Sequence, residues 1–149
     1  MRSSTATEAL IDVALFWDLT GPQLEALGRI GRLRQLDHGD VLFREGHAAS
    51  SFAVIAQGRI AVGKRREDGT MARIATVSSG QPIGEMAILD GGLRSATVVA
   101  DGRTVVVEFP LKAFDDLMCD KPLLGLTIIR KLGRVLSLRL RRMSARGIQ

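Results

Sequence analysis

The chain has 149 residues, 46% apolar and 25% charged, which fits one folded domain and argues against wholesale disorder. Its single cysteine excludes an internal disulfide and a metal site built from several cysteines. Its apolar runs, such as 13–17, are far shorter than the roughly 20 residues of a membrane-spanning helix, and acidic residues near the N-terminus argue against a signal peptide. These features predict a cytoplasmic protein without a membrane span.

The net charge of +5 is divided unevenly along the chain. Residues 1–120 hold thirteen basic and sixteen acidic side chains, which gives −3, whereas residues 121–149 hold eight basic and no acidic ones, which gives +8. A basic segment of this kind can contact nucleic acid, anionic lipid or an acidic protein. It can also be the solvated face of a helix, which is the simpler interpretation.

Helical signals come first in chain order. Residues 8–16 place apolar side chains only weakly at helical spacing. The next segment is clearer, because Thr20 can cap a helix and Pro22 suits its first turn. We therefore predict N-terminal helices over about 8–31.

From residue 32 to residue 109 the pattern changes to short apolar segments separated by glycine-containing turns. One of these turns holds the Asp68-Gly69 pair that is typical of tight hairpins. The pattern predicts a mainly β fold with flanking helices, a β-roll or jelly-roll-like barrel over about 32–109. The predicted strands are 33–36, 41–45, 51–56, 59–65, 72–77, 96–100 and 104–109.

Helical spacing returns after the strands and predicts two C-terminal helices over about 111–143. The second helix, from Pro122 to about Met143, repeats apolar residues at 126, 129, 136, 140 and 143. Gly133 lies in its middle, where glycine costs about 1 kcal/mol relative to alanine, and therefore indicates close helix packing. We expect one domain over 1–149.

Residues 83–97 break the strand pattern and have the chemistry of an anion site. A short helical turn follows Gly84, where free N–H groups and a missing side chain let an anion approach the backbone. Arg94 can supply a charge-assisted pair to a phosphate, and the Ser95 hydroxyl adds a donor. Glu85 accepts hydrogen bonds only, so it suits a sugar hydroxyl. Together these groups describe a nucleotide site.

The sequence Gly84-Glu85-Met86-Ala87, followed by Arg94-Ser95-Ala96, resembles the phosphate-binding cassette of the cyclic nucleotide-binding domain. This superfamily includes the catabolite activator protein, kinase regulatory subunits and cyclic-nucleotide-gated channels. The resemblance covers roughly residues 14–143. The nine-residue step from Glu85 to Arg94 is more similar to the kinase and channel domains than to the catabolite activator.

The resemblance implies a role for each residue of the cassette. Glu85 is expected to accept from the ribose 2′-hydroxyl, Arg94 to neutralise the cyclic phosphate, and Ser95 to bond a phosphate oxygen. Arg139 lies near where several relatives place the residue that meets the purine base. Backbone N–H groups are expected to complete the phosphate site at Gly84, Glu85, Met86 and Ala87. The structural alternative is that Glu85 and Arg94 merely pair with each other.

The implied function is a sensor of cyclic AMP or cyclic GMP that signals by repositioning its C-terminal helix. A cyclic dinucleotide remains an open ligand, and no cofactor is expected. The alternatives are a regulatory module of a channel or transporter and a ligand-free interaction scaffold. The C-terminal helix can form a homodimer or contact an effector protein. Sequence-specific DNA binding is not expected, because only 143–149 follow that helix.

Other side chains give no catalytic or metal signal. His38 and His47 stand beside glycines in predicted turns, without the neighbours of a metal site, and are expected at the surface. Cys119 lies in a helical pattern and is expected to be a small core or boundary residue. The sequence therefore predicts neither an enzyme nor a metal centre.

Overall fold

The computed structural model describes residues 5–145, with helices mainly at the two ends and strands between them. The helices are α1 (Ala6–Ile11), α2 (Gly21–Ile30), α3 (Met86–Asp90), α4 (Leu111–Asp120) and α5 (Pro122–Ala145). The strands are β1 (Arg32–Leu36), β2 (Val41–Phe43), β3 (Ser51–Gln57), β4 (Arg59–Arg65), β5 (Met71–Ser78), β6 (Pro82–Ile83), β7 (Thr97–Ala100) and β8 (Thr104–Pro110). None of the helices in this part of the chain has the length and hydropathy that a bilayer crossing demands.

The N-terminal helices begin at capping boxes. Thr20 Oγ1 accepts from the Gln23 N–H at 3.2 Å, and the Gln23 side chain accepts from the Thr20 N–H at 2.9 Å. The predicted cap at Thr20 is therefore confirmed. The weak helical signal over 8–16 corresponds to the end of α1 and a separate 3-10 turn at Ala14–Phe16.

The strands form two four-stranded antiparallel sheets, in the orders β1-β8-β3-β6 and β2-β7-β4-β5. All the predicted strands are present, with ends that agree within two residues. The mainly β fold with flanking helices is confirmed, and in the described chain the strands lie in two separate sheets rather than one closed barrel. At the predicted Asp68-Gly69 hairpin between β4 and β5, Gly69 has φ +88°, which glycine adopts without strain.

The central strands of the first sheet are buried on both faces. In β3, Phe52 and Val54 point into a cluster shared with the helices, while Ala53 and Ile55 point into a second cluster between the sheets. This alternation follows from the two-residue period of a strand. The molecule therefore has three layers: the helices pack on the first sheet, and the first sheet packs on the second.

The C-terminal helices close the helical cluster and then leave it. In α5, Leu124, Ile128 and Leu132 are buried, whereas Leu140 and Met143 are 63% and 45% exposed. The close packing predicted at Gly133 is wrong for this structure, because an added Cβ there would meet nothing within 4 Å. Cys119, expected in or beside the core, is exposed on α4.

Candidate functional site

A cavity of about 280 Å³ opens beside α3 and under the later part of α5. Phe43 and Val98 form part of its apolar wall. The structure brings all seven residues predicted from the sequence to this cavity: Gly84, Glu85, Met86, Ala87, Arg94, Ser95 and Arg139.

Glycine is required at position 84 for two independent reasons. Its φ of +76° lies in the left-handed region. A Cβ added there would also lie 2.8 Å from Phe43 Cε2 and 2.9 Å from Arg94 Nη1. Residue 84 therefore permits both the turn into α3 and the close approach of the Arg94 guanidinium.

The backbone after Gly84 is only partly available as a donor. The Ala87 N–H donates to the Gly84 carbonyl, and the Ile88 N–H donates to the Glu85 carbonyl, each at 3.1 Å. The N–H groups of Glu85 and Met86 precede these bonds along the chain, at the open end of the turn. The Ala87 N–H, one of the expected phosphate donors, is therefore already engaged within the turn.

Arg94 is held by both its backbone and its side chain. Its N–H donates to the His47 carbonyl at 2.7 Å, and its carbonyl accepts from the Gly46 N–H at 2.9 Å. Its guanidinium carbon lies 3.6 Å from the centroid of the Phe43 ring, and Nη2 donates to Ser51 Oγ at 3.0 Å. The loop between β2 and β3 thus holds the Arg94 backbone, while the two strands beside it hold the guanidinium at the cavity.

The charge of Arg94 is partly buried. Burial lowers the pKa of the Arg94 guanidinium, and the negative charge of Glu108 opposes this shift. An arginine remains charged at neutral pH even when its pKa is lowered from so high a value. The cavity therefore offers a partly desolvated cation, which interacts more strongly with an anion than a fully solvated one does.

Glu85 and Arg139, which both line the cavity, form an ion pair. The Glu85 side chain is 4% exposed, and its Oε1 accepts from Arg139 Nη1 at 2.5 Å. Arg139 Nη2 donates to the Pro82 carbonyl at 2.8 Å. The predicted alternative, a pair between Glu85 and Arg94, is not what the structure contains, since each residue has a different partner.

Sequence reasoning missed several contributors to this site. Phe43 supplies the ring on which Arg94 stacks, and Ser51 accepts from Arg94, yet both lie in ordinary strand patterns. The short strand β6 was also missed, because two residues show no period. Its pairing with β3 places Pro82 under Arg139.

The remaining polar candidates lie elsewhere. The His38 side chain is 73% exposed, and its Nδ1 accepts from the Gly102 N–H at 2.8 Å, which fits the predicted surface turn. His47 is exposed as well. Within residues 5–145, no three His, Cys, Asp or Glu side chains are grouped as a metal ion would require.

Comparisons with known proteins identify the family of this chain. A family model for the cyclic nucleotide-binding domain matches residues 33–120, and the chain belongs to that family. A solved cyclic nucleotide-binding domain from Methylobacillus flagellatus superposes with a TM-score of 0.80 at 27% identity, covering 95% of this chain and 79% of that one. The match begins in β1 and ends with α4, so it includes both sheets and the 83–97 segment but not α5, which carries Arg139.

Two curated relatives are longer proteins that contain a segment similar to this chain. The cAMP-dependent protein kinase regulatory subunit of Mycosarcoma maydis is 31% identical over 130 residues, which are 84% of this chain and 24% of that protein. Lysophospholipase nte1 of Neurospora crassa is 32% identical over 107 residues, which are 72% of this chain and 7% of that protein. The chain thus spans a small share of the length of these relatives, and the match does not carry over their activities.

Proposed function

We propose that this chain binds a 3′,5′-cyclic mononucleotide, cyclic AMP or cyclic GMP, and acts as a sensor rather than an enzyme. The observation that carries the proposal is the meeting of Arg94 and buried Glu85 at one cavity. A partly desolvated cation suits a phosphate, and a carboxylate suits a ribose hydroxyl. Each group alone is common, whereas the two together match the two polar ends of a cyclic nucleotide.

The ligand's orientation follows from the positions of these groups. The cyclic phosphate contacts the Arg94 guanidinium, the Ser95 hydroxyl and the backbone N–H groups that open α3. The ribose 2′-hydroxyl donates to Glu85, whose second carboxylate oxygen remains available beside the Arg139 pair. The base extends past Arg139 into an adjoining groove of about 670 Å³ between β5 and α5.

We further propose that α5 reports ligand binding through Arg139. The guanidinium joins α5 to both Glu85 and the Pro82 carbonyl, and it lines both the cavity and the adjoining groove. A ligand shifts the position of a helix only by contacting one position better than another. A base that stacks on Arg139 supplies that difference, so ligand binding holds the later part of α5 over the cavity.

Calorimetric titration with cyclic AMP and cyclic GMP tests the proposal. We expect saturable binding of at least one of these two nucleotides, at one site per chain. Adenosine has no phosphate to meet Arg94, so it is expected to bind far more weakly. If neither cyclic AMP nor cyclic GMP binds, the proposal is contradicted. If only a cyclic dinucleotide binds, the ligand is a cyclic dinucleotide instead of a mononucleotide.

A second candidate function is a ligand-free scaffold of the same fold. The observation that favours it is that Arg139 already pairs with Glu85, so the buried carboxylate has a cationic partner without a nucleotide. A scaffold of this kind would release no binding heat when titrated with nucleotide, and amide exchange in α5 would not change. The same titration therefore separates the two candidates.

As part of the proposal, the exposed apolar face of α5 binds a second copy of the chain or an effector protein. Leu126, Leu140 and Met143 are 51%, 63% and 45% exposed and follow a heptad-like spacing. A homodimer through this face, or an effector that covers it, would bury these side chains. In a longer protein, the same face would contact the rest of a channel or transporter that this domain regulates. Sedimentation equilibrium with and without nucleotide tests the homodimer.

A further inference from the structure

Four polar side chains form a continuous chain from the cavity to the outer edge of the first sheet. Arg94 Nη2 donates to Ser51 Oγ at 3.0 Å, and Ser51 Oγ donates to Glu108 Oε2 at 2.6 Å. Glu108 Oε1 in turn accepts from Arg34 Nη1 at 3.2 Å. We use the term relay for Ser51 and Glu108, which connect the two arginines.

The strand register explains why these side chains meet. Glu108 in β8 is opposite Ala53 in β3 and Arg32 in β1. Its diagonal neighbours on the same face are therefore Ser51 and Arg34, which lie two residues along their strands. This face of β8 points into the space between the two sheets. The Arg94 side chain reaches the same space from the loop before β7, so it meets the relay there.

The direction of the hydrogen bonds in the relay is fixed by chemistry. Both oxygens of Glu108 accept, one from Arg34 and the other from Ser51, so the single hydrogen of Ser51 points to the carboxylate. The oxygen of Ser51 then has only lone pairs left, and these face Arg94. The Glu108 side chain is 19% exposed, and each of its oxygens has a donor, as a largely buried carboxylate requires.

The relay and the Phe43 ring together set the orientation of the Arg94 guanidinium. The ring holds the guanidinium against its face, since the guanidinium carbon lies 3.6 Å from the ring centroid. Ser51 fixes its rotation by accepting from Nη2. Nη1 is then the nitrogen that lies near the position of a Gly84 Cβ, beside the turn where α3 begins.

We propose that Ser51 and Glu108 are positioning residues that hold Arg94 ready for a phosphate before the ligand arrives. This inference rests on the proposed function and adds two residues outside the 83–97 segment to the binding machinery. Orienting a group in advance raises affinity, because binding no longer has to order it. Glu108 acts through Ser51, since the hydroxyl lies between the carboxylate and the guanidinium.

The sign of one substitution separates positioning from simple charge. Glu108→Gln removes a negative charge near the cavity, and if that charge only competed with the phosphate for Arg94, affinity for cyclic AMP would rise. A positioning role predicts the opposite, a loss of about fivefold, because a neutral partner polarises the Ser51 hydroxyl less than a carboxylate does. Tighter binding by Glu108→Gln overturns the inference.

Ser51→Ala removes the middle of the relay and is expected to weaken cyclic AMP binding about tenfold. In the double variant with Glu108→Gln, no further loss is expected beyond about twofold, because both changes interrupt the same chain of bonds. Ser50→Ala is the matched control, since Ser50 is the exposed neighbouring serine. Additive losses in the double variant, or equal losses in the Ser50 control, contradict the relay.

A measurement without ligand separates this inference from the proposed function. In NMR spectra of the free protein, the Arg94 Nη hydrogens are expected to exchange slowly, and faster in Ser51→Ala and Glu108→Gln. If these hydrogens are restricted in the wild type and released in both variants, but no cyclic nucleotide binds, the proposed function fails and the relay stands. If they exchange rapidly in the wild type, the relay is overturned whatever the ligand.

Discussion

The contact between Arg139 and Glu85 joins α5 to the cassette, and Arg139→Ala removes it. The substitution deletes the hydrogen bonds to Glu85 Oε1 and to the Pro82 carbonyl. It leaves Glu85, which is 4% exposed, without its cationic partner. The buried anchor of α5 is untouched, because Leu124, Ile128 and Leu132 lie earlier in the helix. The change therefore acts on the later part of α5.

The size of the effect follows from burial. Removing one partner of a buried pair costs about 3–5 kcal/mol. Arg139 keeps 30% of its side-chain surface in solvent, so a lower value of about 2–3 kcal/mol is expected here. This free energy stabilises the position of the helix end over the cavity. Its loss corresponds to a roughly 30- to 150-fold larger equilibrium constant for local opening.

Amide hydrogen exchange read by mass spectrometry measures this opening. In the ligand-free protein, Arg139→Ala is expected to speed exchange over residues 133–143 and to leave 122–132 close to wild type. Arg141→Ala is the matched control, because it removes the same charge from an exposed position of the same helix. Unchanged exchange in Arg139→Ala, or equal acceleration in the control, would refute the assigned role of the pair.

Three further predictions concern the glycines, the helix end and chemistry. Gly84→Ala is expected to weaken cyclic AMP binding at least tenfold and to lower the free energy of unfolding by about 1–3 kcal/mol, because it strains the backbone and crowds Arg94. Gly133→Ala, the matched control, is expected to raise the free energy of unfolding by up to about 1 kcal/mol, which denaturant unfolding measures. An equal loss of stability in both variants would contradict the special requirement for glycine at position 84. A chain truncated after Arg134 keeps the buried part of α5, so circular dichroism should show that it is folded. Calorimetry should show weaker cyclic AMP binding, and unchanged affinity would mean that the end of α5 does not cover the ligand. Cyclic AMP incubated with the protein should remain intact by chromatography, and 5′-AMP formed in proportion to protein would contradict a purely binding role.

Local features of this protein were predictable from its sequence. The strand ends, the cap at Thr20 and the Asp68-Gly69 hairpin depend on residues within a few positions of each other, and the structure confirms them. The cassette is also local, because Gly84 and Arg94 lie ten residues apart in one segment. Patterns of this range carry their own physical reason in the sequence.

Contacts between distant segments were not predictable in the same way. Arg139 was expected to meet a base, and its pairing with Glu85, 54 residues away, depends on where α5 crosses the cavity. The bond between Ser51 and Glu108 depends on the register of β3 against β8, which alternation alone does not set. Gly133 suggested packing because of its cost, yet the structure leaves open space there. Each of these depends on how elements are placed relative to one another.

The central claim is that Arg94 binds the phosphate of a cyclic nucleotide, and calorimetry of Arg94→Ala beside wild type tests it most directly. Loss of the charged partner of a desolvated phosphate is expected to cost about 2–5 kcal/mol, or roughly 30- to several-thousand-fold in the dissociation constant for cyclic AMP. Arg44→Ala, which removes an exposed arginine from the adjacent loop, should bind like wild type. Equal affinity of Arg94→Ala and wild type for cyclic AMP would contradict the site and the function built on it.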